Sequence, residues 1–407
     1  MRVCYLHQYF LADKEAGAAR SFSFVRRLAD RGHQVTVITG GINYMTGKVH
    51  PSVKGKLMSR TFADGFTICR INPVLPHKKN YFLRALGFLT FSLGAVPAGL
   101  LSGKHDVVFA TSTPLTIGIP GWFLSRAWRV PFVFDLRDIW PEFAVAFGVL
   151  KRGLIVNLAG KLEKFLYRAA HKLTTVSEGL RTFLISKGVA PEKIEVLRHG
   201  ADCELFIPGE GREAIRHKYG WEGKFVCLYL GAHGKVNSLD TLVDAAEILR
   251  DDEKIVLPFL GDGKLRDLYI GRAQEKGLKN TVFIPSVPLT EVPQYLAAAD
   301  LFLISTRYTP ITGYPCYNKF YDYLAAGRPI IVNFEGEMQR MLEESDAGAG
   351  IEPESPEAFA EIIRELASKP EKVLEMGKNA RKLAEIDMNR NDAADKFVKV
   401  LENAVQK

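Results

Sequence analysis

Cysteine is scarce in this sequence: the 407 residues include five cysteines, and no two of them have CxxC spacing. Disulfide-rich domains and zinc modules need closely spaced cysteines, so both classes are excluded. Repeats, heptads and low-complexity segments are also lacking, which excludes solenoids, long coiled coils and disordered arrays. Several cysteines lie in apolar, strand-like segments, where we expect reduced thiols packed as small apolar side chains. The five are Cys4, Cys69, Cys203, Cys227 and Cys316.

An uninterrupted membrane-spanning segment is missing as well. Residues 81–101 form an apolar run of nearly sufficient length, but the run contains Arg84, Pro97 and three glycines, which argue against a spanning helix. Basic residues at 77–79 and Lys104 flank the run, as in helices that lie at an anionic lipid surface. A buried helix of the first domain is the alternative, and both interpretations stay open.

Charge is distributed unevenly along the chain. Residues 1–200 carry 28 Lys and Arg against 12 Asp and Glu, whereas residues 201–407 carry 26 against 34. The length predicts two domains, and the asymmetry predicts that they have different partners. A basic half favours an anionic partner: a membrane surface, a pyrophosphate lipid or a nucleic acid. We expect no nucleic acid, because no zinc spacing or RNA-binding signature accompanies the charge.

The N-terminus runs from ten mostly apolar residues directly into Asp13, Lys14 and Glu15. This pattern predicts that no signal peptide is present. With the scattered cysteines, it predicts a cytoplasmic protein. The basic first half further predicts peripheral association with the inner face of the plasma membrane.

Strand-like and helix-like segments alternate in both halves. Residues 3–6, 20–31 and 34–39 read as strand, helix and strand, the opening of a doubly wound parallel sheet. A second series starts at the strand 225–230, after a Pro- and Gly-rich linker at 206–211.

The segment from Tyr314 to Val332 has the densest pattern of the chain: a loop, a short helix, a glycine stop and a buried strand. Asn318 and Lys319 lie where the loop becomes helix, a position whose backbone N–H groups and dipole suit a phosphate. Asp322 lies one turn further on the same side. A cation for a diphosphate beside a carboxylate for sugar hydroxyls suits a nucleotide-sugar site. Taken alone, an ordinary surface Lys–Asp pair fits equally well.

A glycine-rich loop joins the strand 225–230 to the next helix. It contains Gly231, Gly234 and Lys235, a combination that predicts a diphosphate cradle. The spacing is not that of a P-loop. An ordinary turn is the alternative function for these glycines.

The run from Asn318 to Pro329 resembles the donor-site signature of retaining glycosyltransferases of family 4, which have the GT-B fold. It is similar to the bacterial branch that builds O-antigens, capsules and lipid-linked glycans. Asp322 falls on the second Glu of the family pattern, which holds the ribose. Tyr314 stands where the family has its first Glu, which commonly touches the transferred sugar, so the donor sugar stays open.

The resemblance extends to other loops. Lys235 occupies the Arg position of the family's Gly-x-x-Gly-Arg loop. Asn237 lies where a Lys often follows in the family, and Lys319 is the candidate that compensates for this missing Lys. Gly17 matches one of two glycines that face the donor phosphates. Asp138 lies in a run resembling a motif of the same branch and is our candidate for guiding the acceptor's hydroxyl proton. A pair with Arg137 or a helix cap is the alternative for Asp138.

The resemblance implies three groups of site residues. The catalytic candidates are Asp138, Lys235 and Lys319. The donor-binding candidates are Gly17, Gly231, Gly234, Lys235, Asn237, Phe283, Pro285, Tyr314, Asn318, Lys319 and Asp322. The acceptor or cleft candidates are Arg20, Arg137, Asp138 and His199. Neither a metal nor a cofactor is expected, because the family needs no metal and no Asp-x-Asp-like motif appears.

The expected fold is α/β, with two Rossmann-like doubly wound domains facing a cleft (GT-B). The first domain covers 1–205 and binds the acceptor, the second covers 206–389 and binds the nucleotide sugar, and the helix 390–407 crosses back. The expected activity is retaining transfer of a sugar, preferably from UDP with GDP as the alternative, to a polyprenyl-pyrophosphate or other glycan acceptor. A nucleotide-sugar epimerase and a non-catalytic binding subunit are the competing hypotheses.

Overall fold

The computed structural model describes residues 1–11, 19–42, 47–72, 81–112, 114–148, 150–151 and 153–406. The chain forms two compact units, one of Met1–Arg198 with Asn391–Lys407 and the other of His199–Arg390. The N-terminal segment of the first unit ends at Arg198, and the expected domain boundary at residue 205 stays a prediction. The Ala201 N–H donates to the Met388 carbonyl (2.6 Å) and the Arg390 N–H to the Ala201 carbonyl (3.0 Å), so this segment is already bonded within the second unit.

The described part of the first unit contains one sheet with helices on both faces. Its strands are β1 (Arg2–Leu6), β2 (Gln34–Gly40), β3 (Met58–Ala63), β4 (Phe66–Ile71), β5 (Val107–Thr111), β6 (Phe132–Leu136), β7 (Lys172–Thr175) and β8 (Ile194–Val196). Its helices, apart from a C-terminal one, are α1 (Ala19–Asp30), α2 (Tyr81–Leu101), α3 (Gly118–Trp128), α4 (Glu142–Ala146), α5 (Leu154–Ala169) and α6 (Glu178–Ser186).

The strand order is β3-β4-β2-β1-β5-β6-β7-β8, and the β3–β4 pair is antiparallel whereas the other neighbours are parallel. The central strands are completely buried and mostly apolar, as expected for strands covered on both faces. The order reverses between β1 and β5. Ligands of doubly wound sheets bind at the carboxyl ends of the strands at such a reversal.

The second unit repeats this plan. Its strands are β9 (Phe225–Leu230), β10 (Ile255–Leu260), β11 (Thr281–Ile284), β12 (Leu301–Ile304), β13 (Ile330–Val332) and β14 (Gly348–Gly350). Its helices are α7 (Arg212–Tyr219), α8 (Leu239–Ile248), α9 (Arg266–Glu275), α10 (Val292–Ala298), α11 (Asn318–Ala326), α12 (Glu337–Glu344), α13 (Pro356–Ala367) and α14 (Pro370–Ile386). The strand order β11-β10-β9-β12-β13-β14 is parallel throughout and reverses between β9 and β12.

The last helix, α15 (Arg390–Gln406), packs on the first unit. The ring of Phe397 stacks on Phe24 of α1 at 4.5 Å and meets the rings of Tyr5 and Phe109 edge-on. Alternate residues of β1 face the two layers: Val3 and Tyr5 pack toward α1 and α15, and Cys4 and Leu6 pack toward α2, α3 and α5.

Helix α2 has one buried side and one exposed apolar side. Phe91 and Ala95 are buried against the sheet, whereas Leu86, Leu89 and Leu93 are exposed on the opposite side. No helix within the described ranges is both long and apolar enough to span a membrane. The five cysteines are free thiols, and four of them are buried, as the sequence predicts.

Candidate functional site

The candidate donor site lies where the strand order of the second unit reverses. The loop after β9 and the loop after β12 meet there: the Thr306 hydroxyl donates to the Val236 carbonyl (2.9 Å) and the Ser305 hydroxyl to the Ser238 carbonyl (3.0 Å). Asn333, directly after β13, forms two hydrogen bonds with the Thr306 backbone. Its Oδ1 accepts from the Thr306 N–H (2.8 Å), and its Nδ2 donates to the Thr306 carbonyl (3.0 Å). The sequence analysis did not include these residues among the site candidates. Their position directly after buried strands could have indicated them, because ligands of such sheets bind at the carboxyl ends of the strands.

Lys319 lies in the first turn of α11 and points at the loop after β9. Its Nζ donates to the Tyr229 hydroxyl (3.1 Å) and lies 4.1 Å from the centre of that ring, a cation–π contact. Burial lowers the pKa of the half-buried Lys319 amine to about 7. Among the described residues no carboxylate forms an ion pair with it. The site therefore offers a partly desolvated amine to which the described residues supply no counter-charge.

Gly231 makes room for this lysine. It adopts a φ of +149°, and a Cβ placed on it would lie 2.6 Å from Lys319 Nζ and 3.1 Å from the Tyr229 hydroxyl. Only glycine fits such a position without displacing the ammonium group. Gly234 is different, since a Cβ there would meet no heavy atom within 4 Å. Packing therefore requires glycine at 231 and leaves space beside 234.

The remaining residues of the loop divide into supporting and exposed ones. The Asn237 amide donates to the Ala232 carbonyl (2.8 Å), so it holds the loop in shape rather than reaching outward. Lys235 is exposed and makes no hydrogen bond or ion pair with any residue that the structure describes. Of the two lysines predicted at this site, Lys319 is thus fixed in place and Lys235 is free to move.

Asp322 lies one turn beyond Lys319 on α11 and is half-buried. Its Oδ1 lies 3.7 Å from Arg390 Nη2. Burial raises the pKa of the Asp322 carboxyl to about 6, an effect that the charge of Arg390 opposes and that of Asp202 reinforces. A cation and a carboxylate thus occupy successive turns of one helix, as the sequence predicts.

The other donor-binding candidates line the same edge of the sheet less directly. Phe283 stacks on Phe259 at 4.8 Å, and its carbonyl accepts from Arg266 Nη2 (3.3 Å). Pro285 follows β11 and is exposed, Asn318 is the exposed first residue of α11, and Tyr314 is half-buried. Gly17 lies outside the described residues.

His233 also belongs to this loop and was not predicted. Its ring is fully buried between Tyr229 and Phe283, with centroid distances of 6.2 Å to each. Burial, with the nearby charge of Arg266, lowers the pKa of His233 to about 4, so its imidazole is neutral at physiological pH. We therefore regard it as a packing residue of the loop.

In the first unit, Arg20 is buried in the core. Its Nη1 and Nη2 bind the two carboxylate oxygens of Asp135 (2.7 and 3.0 Å), and Nη2 also donates to the Leu197 carbonyl. Thr111 and Thr174 donate to the same carboxylate. Burial alone would raise the pKa of Asp135, but Arg20 and these hydrogen bonds outweigh it and hold the pKa below its usual value. Arg20 thus supplies the counter-charge that the buried Asp135 needs, and its expected contact with an acceptor stays a prediction.

Arg137 and Asp138 directly follow β6 at the carboxyl end of the sheet, and both are half-buried. The Arg137 N–H donates to the Ser112 hydroxyl (3.1 Å), which joins this loop to the one after β5. His199 belongs to the second unit, where its ring packs edge-on against Tyr321 at 5.8 Å. It is 7% exposed, so its ring is largely covered within the second unit, and its expected contact with an acceptor stays a prediction. No group of three or more metal-binding side chains occurs among the residues described.

Two family models match consecutive parts of the chain. The glycosyl transferase 4-like domain matches residues 17–200, and the model of glycosyl transferases group 1 matches residues 211–383. Together they span most of both units. The chain belongs to the family-4 glycosyltransferases of the GT-B fold.

Individual proteins agree with this assignment. The chain is 28% identical to the probable glycosyltransferase WbjE of Pseudomonas aeruginosa over 65% of its own length and 66% of that protein. It is 24% identical to the putative colanic acid biosynthesis glycosyl transferase WcaI of Escherichia coli over 92% and 93% of the two chains. The crystal structure of Anabaena Alr3699/HepE in complex with UDP-glucose has a TM-score of 0.73, at 18% identity over 99% and 100% of the chains.

Proposed function

We propose that this protein transfers a hexosyl or N-acetylhexosaminyl group from a UDP-sugar to a membrane-associated glycan acceptor, such as a polyprenyl-pyrophosphate saccharide. Retention of anomeric configuration and independence from metal ions are part of the proposal. The observation that carries it is the arrangement on α11, where Lys319 lacks a carboxylate partner among the described residues and Asp322 lies one turn away. The UDP-glucose bound by the structurally similar HepE and the name of WcaI support the choice of donor and of pathway class.

Donor binding is assigned to the end of the sheet between β9 and β12. The diphosphate would lie against Lys319 and the first turn of α11, where backbone N–H groups and the helix dipole favour an anion. Lys235, exposed on the neighbouring loop, is the second cation that we assign to the same group. The ionised Asp322 would accept hydrogen bonds from the ribose hydroxyls.

During transfer, the bond between the anomeric carbon and the diphosphate oxygen breaks, and the acceptor oxygen forms a bond to that carbon. Negative charge develops on the leaving diphosphate, and Lys319 and Lys235 would stabilise it in the role that a metal ion has elsewhere. The acceptor hydroxyl loses its proton in the same process. Asp138, at the carboxyl end of β6, is the carboxylate that we assign to guiding this proton.

A membrane-associated acceptor is supported by the outer surface of α2, α3 and α5. Helix α3 contacts both α2 and α5, and Trp122 meets Phe165 edge-on at 5.1 Å. The apolar side chains exposed on these three helices are Leu86, Leu89, Leu93, Leu100, Leu101, Ile119, Phe123, Leu154, Ile155, Leu158 and Phe165. Exposed basic residues lie on the same surface. They are Arg126 of α3, Arg129 directly after α3, and Lys161, Lys164 and Arg168 of α5. Apolar residues mixed with cations are typical of surfaces that lie on anionic lipid.

Thermal unfolding with a panel of UDP, GDP and their sugars tests the donor assignment. We expect one nucleotide to raise the melting temperature of the wild type and to lose this effect in Lys235→Ala and Lys319→Ala. No shift with any nucleotide would contradict the proposal. Product analysis then separates the alternatives: a glycosylated acceptor supports the transferase, free sugar indicates an epimerase, and binding without turnover indicates a non-catalytic subunit.

Sedimentation with vesicles tests the membrane assignment. Replacing Leu154 and Leu158 of α5 with Ser should reduce binding to vesicles of anionic phospholipid, whereas the same change at Leu374 and Ile386, exposed apolar residues of α14, should not. Equal binding by both double variants would contradict a specific role of the α2–α3–α5 surface. No binding by the wild type would contradict membrane association itself.

A further inference from the structure

Arg390 lies between two carboxylates of the second unit and is 9% exposed. Its Nη1 donates to Asp202 Oδ2 (2.7 Å), and its Nε and Nη2 donate to the Gly200 carbonyl (3.2 and 3.1 Å). The guanidinium also faces Asp322, and 3.7 Å separates Arg390 Nη2 from Asp322 Oδ1. The three hydrogen bonds therefore hold the guanidinium in position, and its positive charge lies next to Asp322, the candidate ribose-binding residue.

The backbone around Arg390 is held as firmly as its side chain. Gly200 has a φ of +76°, and a Cβ on it would lie 2.5 Å from Arg390 Cα, so the two chain segments touch directly. The Arg390 N–H donates to the Ala201 carbonyl, and a parallel bridge joins Ala201 to Asn389. A group supported in this way has little freedom to adopt another position.

The distance to Asp322 has a chemical consequence. At 3.7 Å the guanidinium acts on the carboxylate through its charge and lies beyond ordinary hydrogen-bond length. Within the described parts of the chain, Asp322 has this ion pair and no side-chain hydrogen bond. The carboxylate oxygens of Asp322 can therefore accept hydrogen bonds from a ligand. Because a half-buried carboxylate is stabilised by hydrogen-bond donors, a ligand with hydroxyl groups is favoured here.

We propose that Arg390 is a positioning residue of the donor site, which keeps Asp322 ionised and oriented for the sugar-nucleotide without competing for its oxygens. This inference rests on the proposed function, in which Asp322 binds the donor ribose. Asp202 has the opposite influence, since it shares the charge of Arg390 and adds a negative charge of its own.

The electrostatic surroundings of Asp322 make the inference testable. Burial raises its pKa to about 6, Arg390 lowers it and Asp202 raises it. On its own helix the nearest cation is Lys319. On α14, which packs against α11, Arg381 binds the Ala325 carbonyl at the other end of α11 (2.6 Å). Arg381 is therefore a matched control, an arginine that supports the same helix without facing Asp322.

The experiment is calorimetric titration with UDP-glucose at a series of pH values from 5 to 8. UDP-glucose is the appropriate probe because its diphosphate is esterified at both ends and does not titrate in this range. For the wild type we expect affinity to fall below about pH 6, as Asp322 becomes protonated. Asp322→Asn should remove this acid limb.

Arg390→Gln should move the acid limb to higher pH, so that affinity near pH 6 falls by up to about tenfold for each unit of displacement while affinity at pH 8 changes little. Arg390→Lys, which keeps the charge, should restore the wild-type limb in part. Asp202→Asn should move the limb to lower pH, and this variant provides a test even if Arg390→Gln does not fold. Arg381→Gln should leave the limb in place.

The possible outcomes distinguish the positioning function of Arg390 from the proposed donor-binding function of the site. An unchanged acid limb in both Arg390→Gln and Asp202→Asn would overturn the positioning function of Arg390 while leaving the donor site intact. A wild type that binds no UDP-glucose at any pH would overturn the proposed function and, with it, this inference. A displaced limb in Arg381→Gln would show that the effect is a general loosening of α11, which also contradicts the proposal.

Discussion

The two units place charged residues at equivalent ends of similar sheets but use them differently. In the first unit, Arg20 and Asp135 are buried, bind each other at 2.7 and 3.0 Å, and receive further hydrogen bonds from Thr111 and Thr174. In the second unit, Lys319 and Asp322 are half-buried and do not bind each other. The comparison shows that the first pair uses its hydrogen-bonding capacity within the protein, whereas Lys319 and Asp322 keep part of theirs for the ligand that we propose.

The largest expected effect is on the stability of the first unit. Asp135→Ala leaves Arg20 buried without its partner, and breaking a buried pair from one side costs about 3–5 kcal/mol of unfolding free energy. Urea unfolding followed by fluorescence measures the change. A loss of less than about 1 kcal/mol would contradict the structural function assigned to the Arg20–Asp135 pair.

The equivalent change in the second unit should affect activity and not stability. Lys319→Ala removes a cation that would stabilise the leaving diphosphate, so kcat/KM should fall by about 10²–10³-fold. Lys218, whose Nζ lies 5.3 Å from the ring centre of Tyr219 in the same unit, is the matched control, and Lys218→Ala should retain activity. Equal losses in both variants would show that a general effect, and not the site, is responsible.

Substitution of the two loop glycines should have unequal effects on stability and nucleotide binding. Gly231→Ala places a methyl group 2.6 Å from Lys319 Nζ at a φ unfavourable to alanine, so we expect a cost of about 1–3 kcal/mol and weaker nucleotide binding. Gly234→Ala meets no atom within 4 Å and should change stability by less than about 0.5 kcal/mol. Thermal unfolding with and without UDP measures both effects. Equal effects of the two substitutions would refute the assignment of Gly231.

The smallest expected effect is on pH dependence. Burial lowers the pKa of Lys319 from the ordinary 10.5 to about 7, so the ammonium is lost above pH 7 and diphosphate binding should weaken there. Between pH 7 and 10.5 the unfolded chain binds more protons at this residue than the folded chain, so this group's contribution to stability increases with pH. Lys319→Arg, which stays charged, should abolish the alkaline limb of UDP-glucose binding, and an unchanged limb would contradict this account.

Local features of this protein could be predicted from the sequence. The strand Phe225–Leu230, the helix beginning at Asn318 and the left-handed Gly327 that ends it all follow from periodicity and capping. These features depend on residues close together in the chain. The joint position of Lys319 and Asp322 on α11 was predictable for the same reason.

Long-range partners could not be predicted in this way. Arg20 pairs with Asp135, and Arg390 lies beside Asp322, although both pairs are far apart in the chain. Only the tertiary fold brings each pair together. The Pro- and Gly-rich segment 206–211 was expected to be a linker, and in the structure it contains a turn of the second unit. Ala201 forms hydrogen bonds with Met388 and Arg390, which are distant in the chain, and no local sequence pattern indicates these partners.

The central claim is that Lys319 and Asp322 form a site for a uridine diphosphate sugar. The most direct test is the calorimetric affinity of UDP-glucose for the wild type, Lys319→Ala, Asp322→Asn and the control Lys218→Ala at pH 6.5, where Lys319 is largely protonated and Asp322 largely ionised. We predict binding by the wild type and the control, with at least a tenfold weaker affinity in the other two variants, the equivalent of about 1.4 kcal/mol each. Equal affinity in all four proteins, or no binding by the wild type, would contradict the account.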